Sequence, residues 1–266
     1  MQSHFDFDTD KLAGYLENNV TGFKGPLKAE KFAGGQSNPT FKITAVSGEY
    51  VLRRKPPGEL LKSAHAVDRE FRVLSALANT EVPVVEVYHL CEDDSVIGSM
   101  FYLMEFKQGR VFWNPALPEA TNAERTEVFD QMNQVMVALH RVDVDAVGLS
   151  DYGRPSNYFV RQADRWSKQY RASETETIAE MDALIDWLPK NMPADDGKLV
   201  LAHGDFRLDN IMFHPTEPRP LALLDWELST LGHPYADLAY QCMQLRLDND
   251  CVLAGLGGID RQALGI

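Results

Sequence analysis

The chain has 266 residues, 44% of them hydrophobic, and a formal net charge of −13. That length can bury a sizeable core, as one large domain or as two lobes. The acidic balance fits a soluble protein and argues against a nucleic-acid partner, which would need Lys/Arg surfaces for its phosphates.

No apolar run approaches the roughly 18 residues that would span a bilayer, so no membrane partner is expected. The opening MQSHFDFDTD lacks the basic and apolar regions of a signal peptide and the Arg-rich look of a transit peptide. Cys91, Cys242 and Cys251 lack metal-ligand spacing and read as free thiols in a reducing compartment. A cytoplasmic location is therefore expected. Nothing in the chain sets an oligomeric state.

In chain order, Asp10–Asn19 reads as a short helix with Leu12, Tyr15 and Leu16 on one side. Three strands follow, Leu27–Ala33, Thr40–Val46 and Tyr50–Arg54. The turn Gly34-Gly35-Gln36-Ser37-Asn38-Pro39 has the glycines and free N–H groups that can cover phosphates, although most such hairpin tips are only turns. Alternation puts Val51 and Arg53 on one face, which reads either as Arg53 toward a cleft and Arg54 toward solvent or as two solvated arginines on an edge strand. Lys62–Asn79 has helical periodicity, with Val67, Phe71, Leu74 and Ala78 as its buried row and Glu70 near the edge of that row. Pro83–Leu90 and Met100–Phe106 read as two further strands. A lobe boundary is expected after them, giving a nucleotide-binding lobe over 1–106 and a catalytic lobe over 107–266.

Asn122–His140 is an amphipathic helix striped by Val128, Met132, Val135 and Leu139. Tyr158–Ala172 is a helix on which Arg161, Arg165 and Lys168 share a face. With no acidic residue counted at i±4 in that row, it reads either as a solvated basic face or as an anion site. Glu180–Leu188 is a helix stopped by Pro189 and Pro193. Pro234–Leu247 is another, and no terminal element is expected after it.

The chemistry concentrates in Leu199–Glu227. Two short apolar runs end in polar residues: Leu199–Ala202 in His203-Gly204-Asp205, and Leu221–Leu224 in Asp225. Between them, the turn-rich His214–Pro220 predicts a hairpin whose ends bring Asn210 and Asp225 together. An Asn and two carboxylates suit Mg²⁺, which is held by one or two carboxylates plus substrate phosphates. For phosphoryl transfer from ATP to an alcohol, Asp205 is the candidate base, and Asn210 and Asp225 are the candidate metal ligands. The spacing His203-x-Asp205-x₄-Asn210 matches the kinase string H-R-D-L-x-x-x-N, and Asp225-Trp226-Glu227 stands where kinases carry D-F-G.

HGD with a following Asn and Asp resembles the aminoglycoside phosphotransferase/choline kinase family over essentially the whole chain. The strings GGQSNPTF, YVLRRKPPG, AH…REF, RQADRWSKQY and HGDFRLDNIMF are similar to kinase-like domains fused to acyl-CoA dehydrogenases and to their free-standing bacterial relatives. The resemblance implies a two-lobed, protein-kinase-like α+β fold, with an antiparallel N-lobe sheet, one long helix and a mostly helical C-lobe. It implies ATP and Mg²⁺ as cofactors and a small-molecule hydroxyl, such as that of a hydroxyacyl-CoA, as acceptor. Asp205 would be the base, Asn210 and Asp225 the Mg²⁺ ligands, and His203 a support of the loop. Arg53 would take the place of the phosphate-binding strand lysine, with Glu70 its helix partner. Ser37 and Asn38 would lie over the phosphates, Val51 would line the nucleotide, Met104 would be the gatekeeper, and Glu105 and Lys107 would offer backbone groups to adenine. Arg207, Arg161 and Arg165 are candidate acceptor contacts.

Three departures are visible. Arg at residue 53 brings a planar fork in place of a point charge. The nucleotide loop is not G-x-G-x-x-G. The relatives it resembles run on for several more helices, so the chain reads either as whole or as truncated at its C-terminus. Competing readings are an aminoglycoside- or choline-type kinase, a nucleotide-binding pseudokinase, and a metal hydrolase built on His203, Asp205, Asp209 and His214.

Overall fold

Phe41, Ile43 and Leu52 are apolar at every second or matched position of neighbouring strands, and burying them on one side drives sheet formation. In the computed structural model, which describes residues 7–32, 38–56 and 66–266, that sheet is five-stranded and antiparallel. Its strands are β1 (Leu27–Lys31), β2 (Thr40–Ala45), β3 (Gly48–Arg54), β4 (Val87–Cys91) and β5 (Phe101–Glu105), in the order β1-β2-β3-β5-β4. The register sets Arg53 opposite Thr40 on one side and Tyr102 on the other.

Helix α1 (Thr9–Asn19), capped by the Asp8 carboxylate on the N–H groups of Asp10 and Lys11, covers one face of the sheet with Leu12 and Leu16. Helix α2 (Val67–Leu77) covers the other. Its buried row is Val67, Glu70, Val73, Leu74 and Leu77; Phe71 is half-buried against Tyr102 and Ala78 is exposed, which corrects the expected row. The stripe drifts because α2 faces both the sheet and the second half of the chain. Residues 62–65 of the expected helix, and residues 34–37 of the expected turn, lie outside the described residues.

Two further expectations are corrected. Arg54 is 1% exposed: it donates to the Ile97 carbonyl at 3.1 Å and lies between the Phe7 and Phe41 rings. Strand β4 starts at Val87 rather than Pro83, because the Pro83 carbonyl accepts from Leu223 N–H of a different sheet.

The second half is mostly helical: α3 (Asn122–His140), α4 (Tyr158–Ser173), α5 (Ala179–Trp187), α6 (Tyr235–Gln244) and α7 (Arg261–Leu264). Short strands β6 (Arg110–Val111), β8 (Ile211–Phe213) and β9 (Pro220–Leu223) form one small sheet, and β7 (Val200–Ala202) pairs with β10 (Thr230–Gly232). The predicted stripe of α3 is buried and packs with Leu201, Ile211, Leu223, Trp226 and the lower face of α2 in one continuous core. Helices α4 and α5 have no buried residue. Helix α7 corrects the expectation of no terminal element; Asp260 caps it, and Asn122 of α3 donates to the Ala263 carbonyl.

Leu139 is fully buried in the α3 stripe, whereas Val137 is 47% exposed. Leu139→Ala should destabilise by about 2–5 kcal/mol in urea unfolding, and Val137→Ala by about 0.5 kcal/mol or less.

Candidate functional site

Strand β7 carries the chain out of the core into His203, Gly204 and Asp205, and Asp205 is hydrogen-bonded to Asn210, which lines a cleft against the large sheet. The loop is fixed from behind by Asp237, in the first turn of α6 and fully buried. Its Oδ2 accepts from His203 N–H at 2.9 Å and its Oδ1 from Gly204 N–H at 2.8 Å. His140, at the end of α3, brings Nε2 to 2.8 Å from the same carboxylate. Burial by itself would push the Asp237 pKa up. The His140 hydrogen bond, the nearby His203 ring and the two backbone donors outweigh it, so the group sits below the ordinary carboxylate range. Gly204 has φ +84°, and a Cβ there would lie 2.7 Å from the Leu228 carbonyl, so the loop admits only glycine.

His203 is fully buried. Its Nε2 is 2.8 Å from the Leu224 carbonyl, its Nδ1 accepts from Asp205 N–H at 3.3 Å, and its ring meets Trp226 edge-on. Both ring nitrogens are thus engaged in holding the loop. Among the described residues no three His, Cys, Asp or Glu side chains converge as a metal site.

The predicted hairpin is formed by β8 and β9. Leu224 N–H donates to the Asn210 carbonyl at 2.8 Å, closing its open end and setting Asn210 beside Asp225. Asn210 Nδ2 donates to the Asp205 carbonyl at 2.8 Å and to Asp205 Oδ2 at 2.9 Å. With both N–H bonds spent on Asp205, the amide oxygen is the atom left for a cation. Asp225 adopts φ +62°, a left-handed conformation uncommon outside glycine. These are hard oxygen donors, few enough that a cation would need phosphate or water to complete its shell, as Mg²⁺ does.

The roof is an ion-pair chain. Arg53 Nε is 2.8 Å from Glu70 Oε2, and Nη2 is 2.8 Å from Asp225 Oδ1 and 3.9 Å from Glu227. Glu70 is 2% exposed, in the middle of the buried row rather than at its edge. Burial raises its pKa and the Arg53 charge opposes that rise. Burial works against the Arg53 charge too, but Glu70, Tyr102 and Asp225 outweigh it and raise its pKa. Tyr102 donates to Glu70 Oε2 at 3.1 Å, and burial holds its phenol well above the ordinary value.

The cleft has a volume of about 480 Å³ and is walled by Val51, Met104, Leu223 and Trp226, with Glu105 and Lys107 along the crossover between the halves. Glu105 N–H donates to the Glu86 carbonyl, so it is not available to a ligand. Gly109 lets that crossover press onto β8, where a Cβ would meet Met212 Cγ at 2.4 Å.

Other sites differ from expectation. Asn38 is 1% exposed and donates to Glu70 Oε1 at 2.8 Å, so it supports the roof from behind and does not line the cleft. Ser37 lies outside the described residues. Arg207 bridges Asp205 and Asp209, each at 3.2 Å. Arg161 and Arg165 do not line the cleft: Arg161 donates to the Arg154 carbonyl, and Arg165 stacks on Trp166. Lys168 pairs with Asp164 at i−4, an acidic partner overlooked in the sequence row.

Sequence reasoning missed Asp237, His140 and Tyr240. The first two carried the weak signals of a carboxylate in a helix's first turn and a His closing an apolar stripe. Tyr240 lies on α6 beside Asp205; burial, then the Asp205 charge and hydrogen bond, push its phenol up to about 12.

Removing the Asp237 side chain with Asp237→Ala strands two buried N–H donors, each costing about 1–3 kcal/mol. Because the folded pKa is depressed, the ionised Asp237 contributes its full stability above the unfolded value near ~3.9 and loses it as pH falls through the folded value. Urea unfolding from pH 7 down to 2 should show Asp237→Asn less stable at pH 7, with a shallower acid slope.

Residues 28–259 match the family model described as phosphotransferase enzyme family. The chain is 48% identical to probable acyl-CoA dehydrogenase IBR3 of Arabidopsis thaliana over 96% of its own length and 33% of that protein's. It is 47% identical to acyl-CoA dehydrogenase family member 10 of Mus musculus over 97% of its own length and 24% of that protein's. The chain thus spans a third or less of these relatives. Among solved structures, a Ralstonia eutropha chain described as an aminoglycoside phosphotransferase superposes with a TM-score of 0.87 at 53% identity, covering 98% of this chain and 76% of the other. Choline kinase of Cryptosporidium parvum shares the fold at a TM-score of 0.63 and 15% identity, over 88% of this chain and 68% of its own. With the two-lobed, kinase-like architecture and the family match over most of its length, the chain belongs to the phosphotransferase enzyme family.

Proposed function

We propose that the chain is an ATP- and Mg²⁺-dependent kinase that phosphorylates a hydroxyl group of a small molecule. The observation that carries this reading is the convergence of Asp205, Asn210, Asp225, Arg53 and Glu70 around one cleft. In this reading residues 1–106 bind the nucleotide, residues 107–266 bind the acceptor, and the protein works in the cytoplasm. No helix among the described residues is long and apolar enough to cross a membrane.

Asp205 accepts the acceptor's hydroxyl proton on its carboxylate while Asn210 and Arg207 fix the orientation of that group. The freed alkoxide oxygen attacks the γ-phosphorus of ATP, the bond to the bridging oxygen breaks, and ADP leaves. Arg53, anchored by Glu70, donates to phosphate oxygens. Val51 and Met104 pack on the base. Bound Mg²⁺, held by Asn210 and Asp225, would supply charge neutralisation on the phosphates. Asp237 and His140 act at a distance, holding the loop in place.

For the acceptor we favour a hydroxylated acyl group such as a hydroxyacyl-CoA. Support comes from the names of the two relatives above, both acyl-CoA dehydrogenases. A structural neighbour solved with streptomycin and ATP shares the fold at 16% identity, which keeps nucleotide use in view and leaves the acceptor to experiment.

Two measurements test the reading. Asp205→Asn should lower kcat by roughly 10²–10⁴ with ADP release as the assay, screened over hydroxyacyl-CoAs, amino alcohols and aminoglycosides. Turnover equal to wild type would remove Asp205 from the mechanism. ATP should raise the melting temperature more with Mg²⁺ than without it; no nucleotide-dependent shift would refute the kinase assignment.

A further inference from the structure

The Arg53 guanidinium is shared between two carboxylates that hold it unequally. At one end, Glu70 is 2% exposed and further fixed by Asn38 Nδ2 at 2.8 Å and the Tyr102 hydroxyl at 3.1 Å. At the other, the Asp225 side chain is 37% exposed, in a left-handed backbone conformation at the mouth of the hairpin. The weakly held end is the one assigned above to the metal. Nη2 donates to Asp225 Oδ1 at 2.8 Å and lies 3.9 Å from Glu227. A divalent cation approaching Asp225 therefore meets a fixed like charge hydrogen-bonded to one of its carboxylate oxygens.

We propose that Arg53 is a latch on Asp225, so that the protein takes up its divalent cation together with a nucleotide phosphate and poorly without one. Phosphate oxygens offer the guanidinium a bidentate partner. The Asp225 end swings onto them while the Glu70 end stays, and Asp225 is released to the metal. A lysine at this position could not do the same: its single ammonium is a point charge, able to serve Glu70 but not to span both carboxylates through separate nitrogens. The inference rests on the assignment of the cleft to a nucleotide and its metal, and it deepens that assignment by fixing the form in which they enter.

The test titrates Mn²⁺ into nucleotide-free protein and reads free Mn²⁺ by electron paramagnetic resonance. Wild type should bind Mn²⁺ about tenfold or more weakly than Arg53→Lys, a gap of the size usual for coupled sites. Equal affinity, or tighter binding by wild type, overturns the latch. A cooperative thermal melt with the wild-type circular dichroism spectrum checks that Arg53→Lys is folded. If it is not, the side-chain Nη2–H resonance of Arg53, the nitrogen on Asp225, decides in the wild-type protein. That signal should stay put with saturating Mg²⁺ alone and move with metal-free ADP; movement with Mg²⁺ alone, or none with ADP, overturns the proposal. Failure of the kinase assignment has a different signature, namely no ADP-dependent thermal shift with or without Mg²⁺.

Discussion

One guanidinium ties the two halves of this molecule together. Arg53 belongs to the large sheet, Glu70 to the helix behind it, and Asp225 to the hairpin of the second half. Desolvating such a chain is expensive, and a buried ion pair is weak evidence for stability. Its effect is positional. The sheet cannot shift against the hairpin without either stretching a contact of 2.8 Å or leaving a carboxylate unmatched. The three carboxylates near Arg53 suit an arginine, whose fork has enough donors to face more than one of them.

A second buried carboxylate does for the loop what Glu70 does for Arg53. Asp237 converts two backbone N–H groups and one imidazole into a fixed seat for His203 and Gly204. Asp205, the residue that would touch substrate, is placed through this seat and through Asn210. The reactive carboxylate is thus oriented by groups that lie deeper than it does. This is how a polar side chain can be both partly accessible and geometrically definite.

The elements that could be read in the sequence are those whose signal is local. The α3 stripe repeats at helical spacing over nineteen residues, and its bounds match the structure. The HGD string, the prolines of the hairpin turn and the Asp-Trp-Glu end are contiguous, so the pairing of Asn210 with Asp225 was legible. Partners chosen across the fold were not. Asn38 and Tyr102 meet Glu70 from 32 residues away on opposite sides, and nothing in their own neighbourhoods marks them. Arg54 shows the limit of alternation as a guide: with helix α1 on one face and α2 on the other, both faces of β3 are covered, and the side assigned to solvent is packed. Asp237 follows the same logic, since a lone acidic residue in a helix's first turn looks like dipole compensation until the loop it holds is seen.

Helices α4 and α5, neither with a buried residue, have a consequence for how the molecule behaves as a whole. They rest on the remainder through few contacts, among them Phe159 on His233 and the Asn157 N–H on Asp195. Elements so lightly attached open with free energies well below that of global unfolding. The pair, held mainly where Tyr158 packs on Gly232 and Phe159 on His233, is therefore expected to open ahead of the core. Sequence drift in this arm would leave the seat of His203 and the Arg53 chain intact, so the same phosphate chemistry could be kept while this surface is remodelled.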